Sequence, residues 1–276
     1  MSISQSFENH LKNILDKQLE SSTREAMAYS LLNPGKRIRP RLLWSICNSY
    51  GADMQEALNA GALIEMLHCY SLVHDDLPAL DNDTLRRGKS TCHIQFNEAT
   101  AILAGDGLLT LAFELIGELK PEHAAQTVTL IAKAGGISGM IAGQDYDINN
   151  RATDWPSYQL MAELKTGRLF AASLALGAII GNQTDLVSEL ENIGRQLGLA
   201  FQIQDDLLEV TKSESLNKSL SDQANNKLTA VSLLGEKAAK EAYRNTYHNI
   251  QNALGKLPRK FPALLELLDE LLERQN

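Results

Sequence analysis

The chain has 276 residues, 44% hydrophobic and 22% charged, enough for one large domain or two small ones around a sizeable core. Mean hydropathy is −0.20 and no run approaches the ~18–20 consecutive apolar residues that a bilayer-spanning helix needs, which excludes transmembrane and disordered classes. With 26 Lys and Arg against 34 Asp and Glu, the net charge is −8, which excludes a nucleic-acid footprint spread over the whole surface. Cys47, Cys69 and Cys92 show no C-x-x-C spacing, and the first residues lack the charged and apolar regions of a signal peptide. A reduced, cytoplasmic protein is expected.

With only 7 Pro, and apolar residues recurring at i, i+3, i+4 and i+7, the spacing predicts helices over 4–20, 23–33, 38–50, 54–77, 98–118, 122–148, 157–181, 184–211, 227–255 and 261–274. Nothing alternates with period two, so the fold class is all-α. The segments 61–73, 99–116 and 169–180 are apolar nearly all round, which places them in the centre of a large bundle. No linker or repeat divides the chain, and a single domain over 1–276 is expected. Two stretches resist helix assignment: Leu77–Asn97, with Pro78 and Gly88, and the polar Lys212–Asn226.

The first of these carries the sharpest feature. His74-Asp75-Asp76-Leu77-Pro78-Ala79-Leu80-Asp81-Asn82-Asp83 follows directly on an apolar helix. Pro78 should stop that helix near Leu77, leaving Asp75 and Asp76 in its last turn. The negative end of a helix dipole disfavours acids unless cations are supplied, and hard oxygen ligands so arranged suit Mg²⁺. A second cluster, Gln202-Ile203-Gln204-Asp205-Asp206-Leu207-Leu208-Glu209, ends another buried helix, with Gln202, Asp205 and Glu209 on one face.

Such carboxylates require cationic partners. Gly35-Lys36-Arg37-Ile38-Arg39-Pro40-Arg41, Arg86-Arg87-Gly88-Lys89 and Lys165-Thr166-Gly167-Arg168 provide three short basic clusters in an acidic chain. Arg forks and Lys point charges bind phosphate oxygens, and Mg²⁺ bridges carboxylate to phosphate. His68 lies two turns before Asp75, and Gln144-Asp145-Tyr146-Asp147 ends a further apolar helix, either as a cap or as support for a ligand. The three cysteines have the character of packing residues.

With these motifs in this order, the chain resembles the trans-prenyltransferase (polyprenyl synthase) family, in particular its bacterial farnesyl diphosphate synthases. The resemblance runs over nearly the whole length, through Gly35–Pro40, His68, Asp75–Asp81, Arg86-Arg87-Gly88, Phe96–Asp106, Lys165-Thr166 and Phe201–Asp206. It implies an isoprenoid-synthase helix bundle around a deep central cavity, usually a homodimer, not membrane-spanning and with no nucleic-acid partner. It further implies Mg²⁺-dependent head-to-tail condensation of isopentenyl diphosphate with dimethylallyl or geranyl diphosphate, through an allylic carbocation, to give farnesyl diphosphate. In that scheme Asp75, Asp81 and Asp205 hold Mg²⁺, with Asp76 and Glu209 nearby. Arg86, Lys165 and Lys227 hold the allylic diphosphate; Lys36, Arg39, His68 and Arg87 hold isopentenyl diphosphate. Thr166 and Gln202 turn oxygen dipoles toward the cation. Tyr70, fifth before Asp75, is the aromatic stop of short-chain members, with Ser71 beside it, and Pro78-Ala79 matches a two-residue insertion of the bacterial farnesyl type.

The chain also departs from the family pattern. Glu209 stands where an Asp is usual, the Gly-Lys loop becomes Asn217-Lys218, and Lys227-Leu228-Thr229-Ala230-Val231 lacks the usual proline. Geranylgeranyl or geranyl diphosphate synthesis, and a weakly active or regulatory subunit, are the alternatives. A terpene cyclase would share the acidic motif but has no use for a second, metal-free diphosphate site.

Overall fold

The computed structural model describes residues 3–216 and 228–272, without the side chains of 211–216 and 272. Its contacts gather into two compact units, one of the chain up to Trp44 with Ala52–Val128, the other of Ser45–Gly51 with the chain from Thr129 onward.

The first unit is built on α4 (Met54–Asp75), capped at its start by the Asp53 carboxylate, which accepts the Glu56 N–H at 2.9 Å. Against it pack α1 (Ile3–Asp16), α2 (Ser22–Leu31) and α6 (Glu98–Ile116). Leu63, Ile64 and Leu67 of α4 are fully enclosed, each worth about 1.5–3 kcal/mol of burial. The Trp44 ring from α3 (Ile38–Ser49) meets Phe7 edge-on and donates to the Ala57 carbonyl at 2.9 Å. At the far end of α4 from its aspartates, the buried Glu56 accepts from His123 at 2.7 Å and from the Lys120 N–H at 3.0 Å. Burial opposes the charge of Glu56, but these bonds outweigh it and hold the carboxyl below its ordinary value.

By length and composition α6 would pass for a membrane-crossing helix, its best window averaging a hydropathy of 1.6. The expectation of no such run counted uninterrupted apolar residues, and Asp106 and Glu114 break the sequence without lowering the average far. Ala101, Ala104, Leu108, Leu111 and Leu115 bury one side of α6, which faces α4 and α2 as a core helix does.

The second unit centres on α10 (Arg168–Ile180), buried almost throughout, packed along α11 (Val187–Leu216). Around these lie α8 (Met140–Ile148), α9 (Trp155–Ala162), α12 (Ala230–Leu234), α13 (Glu236–Gly255) and α14 (Pro262–Leu272). The expected helix 122–148 is two, α7 (Pro121–Gly135) and α8, parted where Gly136 and Gly139 flank a turn with no helical propensity to carry the chain through. The helix expected over 227–255 breaks at Gly235, whose φ of +77 only glycine adopts freely. α11 runs to Leu216, beyond the predicted end at 211. Leu77–Asn97, expected to be loop, contains a two-stranded ribbon, β1 (Leu85–Arg86) with β2 (Lys89–Ser90), and the short α5 (Cys92–Gln95).

Candidate active site

In the first unit α4 ends at Asp75, and the chain beyond it curls back. Asn82 takes a φ of +53 and donates to the Leu77 carbonyl, while the Asp81 N–H donates to the Asp75 carbonyl at 2.9 Å. Two partly exposed carboxylate residues, six apart in sequence, thereby become neighbours at the end of one helix. Asp76 faces the other way. It is buried and accepts the Arg86 Nε–H at 2.6 Å, and Arg86 also donates to Asp83 at 3.0 Å. Burial pushes the Asp76 carboxyl up to about 6, only partly offset by Arg86.

Arg86 stands at the end of β1, and Arg87-Gly88 is the two-residue loop of the hairpin, with φ of +53 and +76. Positive φ at both central positions is what a right-twisted two-residue hairpin demands. The turn presents the Arg87 guanidinium to the Asn33 carbonyl at 3.3 Å and lays it over Gly35, where a Cβ would come within 2.3 Å of Nη1. Arg87 is thus brought to the turn that carries Lys36. Lys36 is exposed; Arg39, at the start of α3, is half-buried, and burial, with repulsion from Arg87, lowers it to about 10 despite the pull of Glu65. His68 is lowered well below its ordinary value, by burial first and then by the charges of Arg39, Arg87, Arg86 and Arg37. A neutral imidazole among guanidinium groups results, and it lines a cavity together with Arg37, Glu65, Asp76, Arg86 and Arg87.

In the second unit Lys165 and Thr166 lie on a π turn, Glu163–Gly167, between α9 and α10. Such one-turn widenings re-aim side chains and are frequent at functional positions. The turn is pressed against α8 at Gly143, where a Cβ would stand 2.1 Å from the Lys165 nitrogen. The Lys165 ammonium donates to Asp147 at 2.5 Å, so the polar end of α8 supports a cation. The Thr166 hydroxyl donates to Gln202 Oε1 at 3.3 Å, and Gln202 Nε2 donates to Asp206 at 3.1 Å. Buried Asp206 also accepts from the Tyr158 hydroxyl and the Ala230 N–H, both at 2.7 Å. Burial raises Asp206 to about 6 even so. Because Asp206 takes the NH₂ side of Gln202, the amide oxygen is left toward Thr166. Asp205, beside it, is half-buried.

The structure therefore gathers Asp75, Asp81, His68, Arg86 and Arg87 with Lys36 and Arg39 in one unit, and Lys165, Thr166, Gln202 and Asp205 in the other. Lys218 and Lys227 lie outside the described residues. Tyr70 is buried on α4 with its ring edge-on to His74, and burial, reinforced by Asp75, raises its hydroxyl to about 12. The Ser71 hydroxyl donates back to the His68 carbonyl at 2.9 Å. Sequence reasoning does not find Glu65 or Tyr158. Their only signals are a lone carboxylate inside an apolar helix one turn before His68, and a tyrosine two turns before Lys165.

Among the described residues no group of three or more His, Cys, Asp or Glu stands close enough to enclose a metal ion. The joined pair Asp75 and Asp81 fits Mg²⁺, which is commonly held by one or two carboxylates and completed by phosphate and water.

Buried helices bearing paired carboxylates, at the end of α4 and within α11, together with separate basic clusters of the kind that bind phosphate, define an all-α diphosphate-handling enzyme. The chain matches the polyprenyl synthetase family over residues 20–267. It is 46% identical over 228 residues to a farnesyl diphosphate synthase of Geobacillus stearothermophilus, covering 79% of this chain and 77% of that one. It is 40% identical to a chloroplastic geranylgeranyl pyrophosphate synthase of Capsicum annuum, covering 91% and 71%. A Helicobacter pylori geranyltransferase solved with magnesium and isoprenyl diphosphate superposes with a TM-score of 0.83 at 33% identity, covering 98% and 94%. The chain belongs to the polyprenyl synthetase family and is a prenyltransferase with the all-α isoprenoid-synthase fold.

Proposed function

We propose that the protein condenses isopentenyl diphosphate with dimethylallyl or geranyl diphosphate to give farnesyl diphosphate, in a Mg²⁺-dependent reaction. The observation that carries this reading is the Asp75–Asp81 turn, closed by its backbone bond at the end of the helix that bears His68 and Tyr70 and followed by the Arg86–Arg87 hairpin. In this reading Asp75, Asp81 and Asp205 would hold Mg²⁺, which when bound would supply positive charge to a departing diphosphate. Arg86, Lys165 and Lys227 hold the allylic diphosphate and stabilise the negative charge that grows on it as its carbon–oxygen bond breaks. Lys36, Arg39, Arg87 and the neutral His68, which has an N–H to donate, hold isopentenyl diphosphate. Its double bond attacks the allylic cation, whose charge the oxygens of Thr166 and Gln202 offset; a proton is then lost to the released diphosphate.

The family match spans 20–267, which supports one functional domain. Exposed Ile102, Leu103 and Phe113 on α6 support a homodimer, to be checked by sedimentation. Three buried, unbridged cysteines are consistent with a cytoplasmic setting, to be tested by fractionation.

Purified protein given geranyl diphosphate, isopentenyl diphosphate and Mg²⁺ should release diphosphate and yield a fifteen-carbon product; folded protein that releases none refutes the enzyme. The relative from Capsicum annuum keeps geranylgeranyl diphosphate as the second reading, which product chromatography separates. Tyr70→Ala should lengthen the product, since a buried ring one turn before Asp75 is removed. An unchanged product profile would detach chain length from Tyr70.

A further inference from the structure

Of the four cations Lys36, Arg37, Arg39 and Arg41 that end the turn after α2 and open α3, Arg37 is the buried one. Its side chain is 6% exposed, its backbone holds a φ of +47, and its guanidinium makes four hydrogen bonds. Nε and Nη2 donate to the two oxygens of Glu8 on α1 at 2.8 and 3.0 Å, Nη2 donates to the Leu31 carbonyl ending α2 at 2.9 Å, and Nη1 donates to Glu65 on α4 at 2.8 Å. A left-handed conformation is uncommon for a residue with a side chain and persists where surrounding contacts overdetermine it. Here three helices do so. The Arg37 carbonyl in turn accepts the Arg41 N–H at 3.0 Å, so the start of α3 is set from the same residue.

We propose that Glu65 is a positioning residue for isopentenyl diphosphate: by holding Arg37 in its left-handed turn it places Lys36 on one side and Arg39 on the other against the Arg87 hairpin. This rests on the substrate assignment above. Glu65 is 4% exposed, one helical turn from His68, and lines the same cavity as His68 and Arg87. Its charge also acts on Arg39, favouring the charged guanidinium that burial and Arg87 disfavour. Glu65 thus touches no substrate in this scheme; it decides where the cations stand that do.

Steady-state kinetics with geranyl and isopentenyl diphosphates test the placement. Glu65→Ala should raise the KM for isopentenyl diphosphate about tenfold or more, with kcat and the KM for geranyl diphosphate within about twofold of the parent. Glu65→Gln, which keeps the size and an accepting oxygen, should recover part of that loss. Should Glu65→Ala not fold, Glu8→Ala serves: Glu8 is 35% exposed, its removal leaves Glu65 on Arg37, and the same one-sided shift is expected, about threefold. Equal changes in both KM values, or parent-like kinetics in folded Glu65→Ala (or, where that variant does not fold, in both Glu65→Gln and Glu8→Ala), overturn the proposal. A parent that turns over neither substrate refutes the enzymatic reading itself, whereas an active parent with insensitive variants refutes only the role of Glu65.

Discussion

The two units differ most instructively in their paired acids, Asp75-Asp76 in the first and Asp205-Asp206 in the second. The first pair closes the apolar α4 and the second lies inside the longer, more polar α11, yet in each the first aspartate is half-buried while the second is buried and bonded. The partners differ. Asp76 is held by one cation, Arg86, which ties the end of α4 to the β1–β2 hairpin. Asp206 is held by three uncharged donors, Tyr158, the Ala230 N–H and Gln202, which tie α11 to α9 and to the start of α12. Adjacent acids on a helix thus divide their labour by direction: one stays available to the site while its neighbour anchors the segment that follows.

That division is broken most directly by exchanging the targets. Asp75→Ala should lower turnover by about a hundredfold or more with the helical circular dichroism and melting temperature unchanged, whereas Asp83→Ala should cost far less. If Asp83→Ala were equally damaging, the carboxylates that face the reaction would have to be reassigned.

Loss of an anchor should act on stability instead. Asp206→Ala leaves a buried hydroxyl and a buried N–H without their acceptor and should cost about 2–4 kcal/mol in denaturant unfolding. Asp76→Ala should cost less, about 1–3 kcal/mol, because the Arg86 side chain is 31% exposed and water can replace its partner. A reversed order would show that the charge, not the number of buried donors, decides the strength of the anchor.

Tyr158→Phe removes one of the three donors and keeps the ring stacked on Trp155, so about 1 kcal/mol is expected, again from unfolding curves. A small fall in turnover should accompany it as Gln202 loses its fixed orientation through Asp206.

A last effect concerns pH. Both anchors are raised by burial from about 3.8 to about 6, so between those values the folded chain binds protons that the unfolded chain has released. The stability they contribute is complete below pH ~4 and declines as pH rises through ~6. Asp206→Asn should flatten that decline in melting temperatures taken from pH 4 to 7; an unaltered slope would mean that its carboxyl is not raised.

Much of the site is legible in the sequence because its residue types are rare where they stand. An acid run after an apolar helix, or a Lys-Thr pair inside one, signals chemistry by its position alone. The π turn at 163–167 is not legible, since it differs from an α turn by one residue and its close contact with Gly143 is tertiary. The β1–β2 ribbon escapes for a related reason. Two-residue strands have no periodicity to detect, and Arg87-Gly88 reads equally well as a cationic cluster and as a turn with two positive φ values. Arg37 and Arg39 resemble Lys36 in charge, yet only the fold reveals that Arg37 is committed to Glu8 and Glu65.

By itself, then, the order of apolar and polar residues determined an all-α chain, its central helices and the short clusters that handle charge, because periodicity and composition are local properties that the backbone must respect. Which member of each cluster faces the reaction was decided only by tertiary structure. Adjacent side chains point in different directions, and burial together with distant partners, Arg86 for Asp76, Tyr158 for Asp206 and Glu65 for Arg37, determines whether a charge is presented or enclosed.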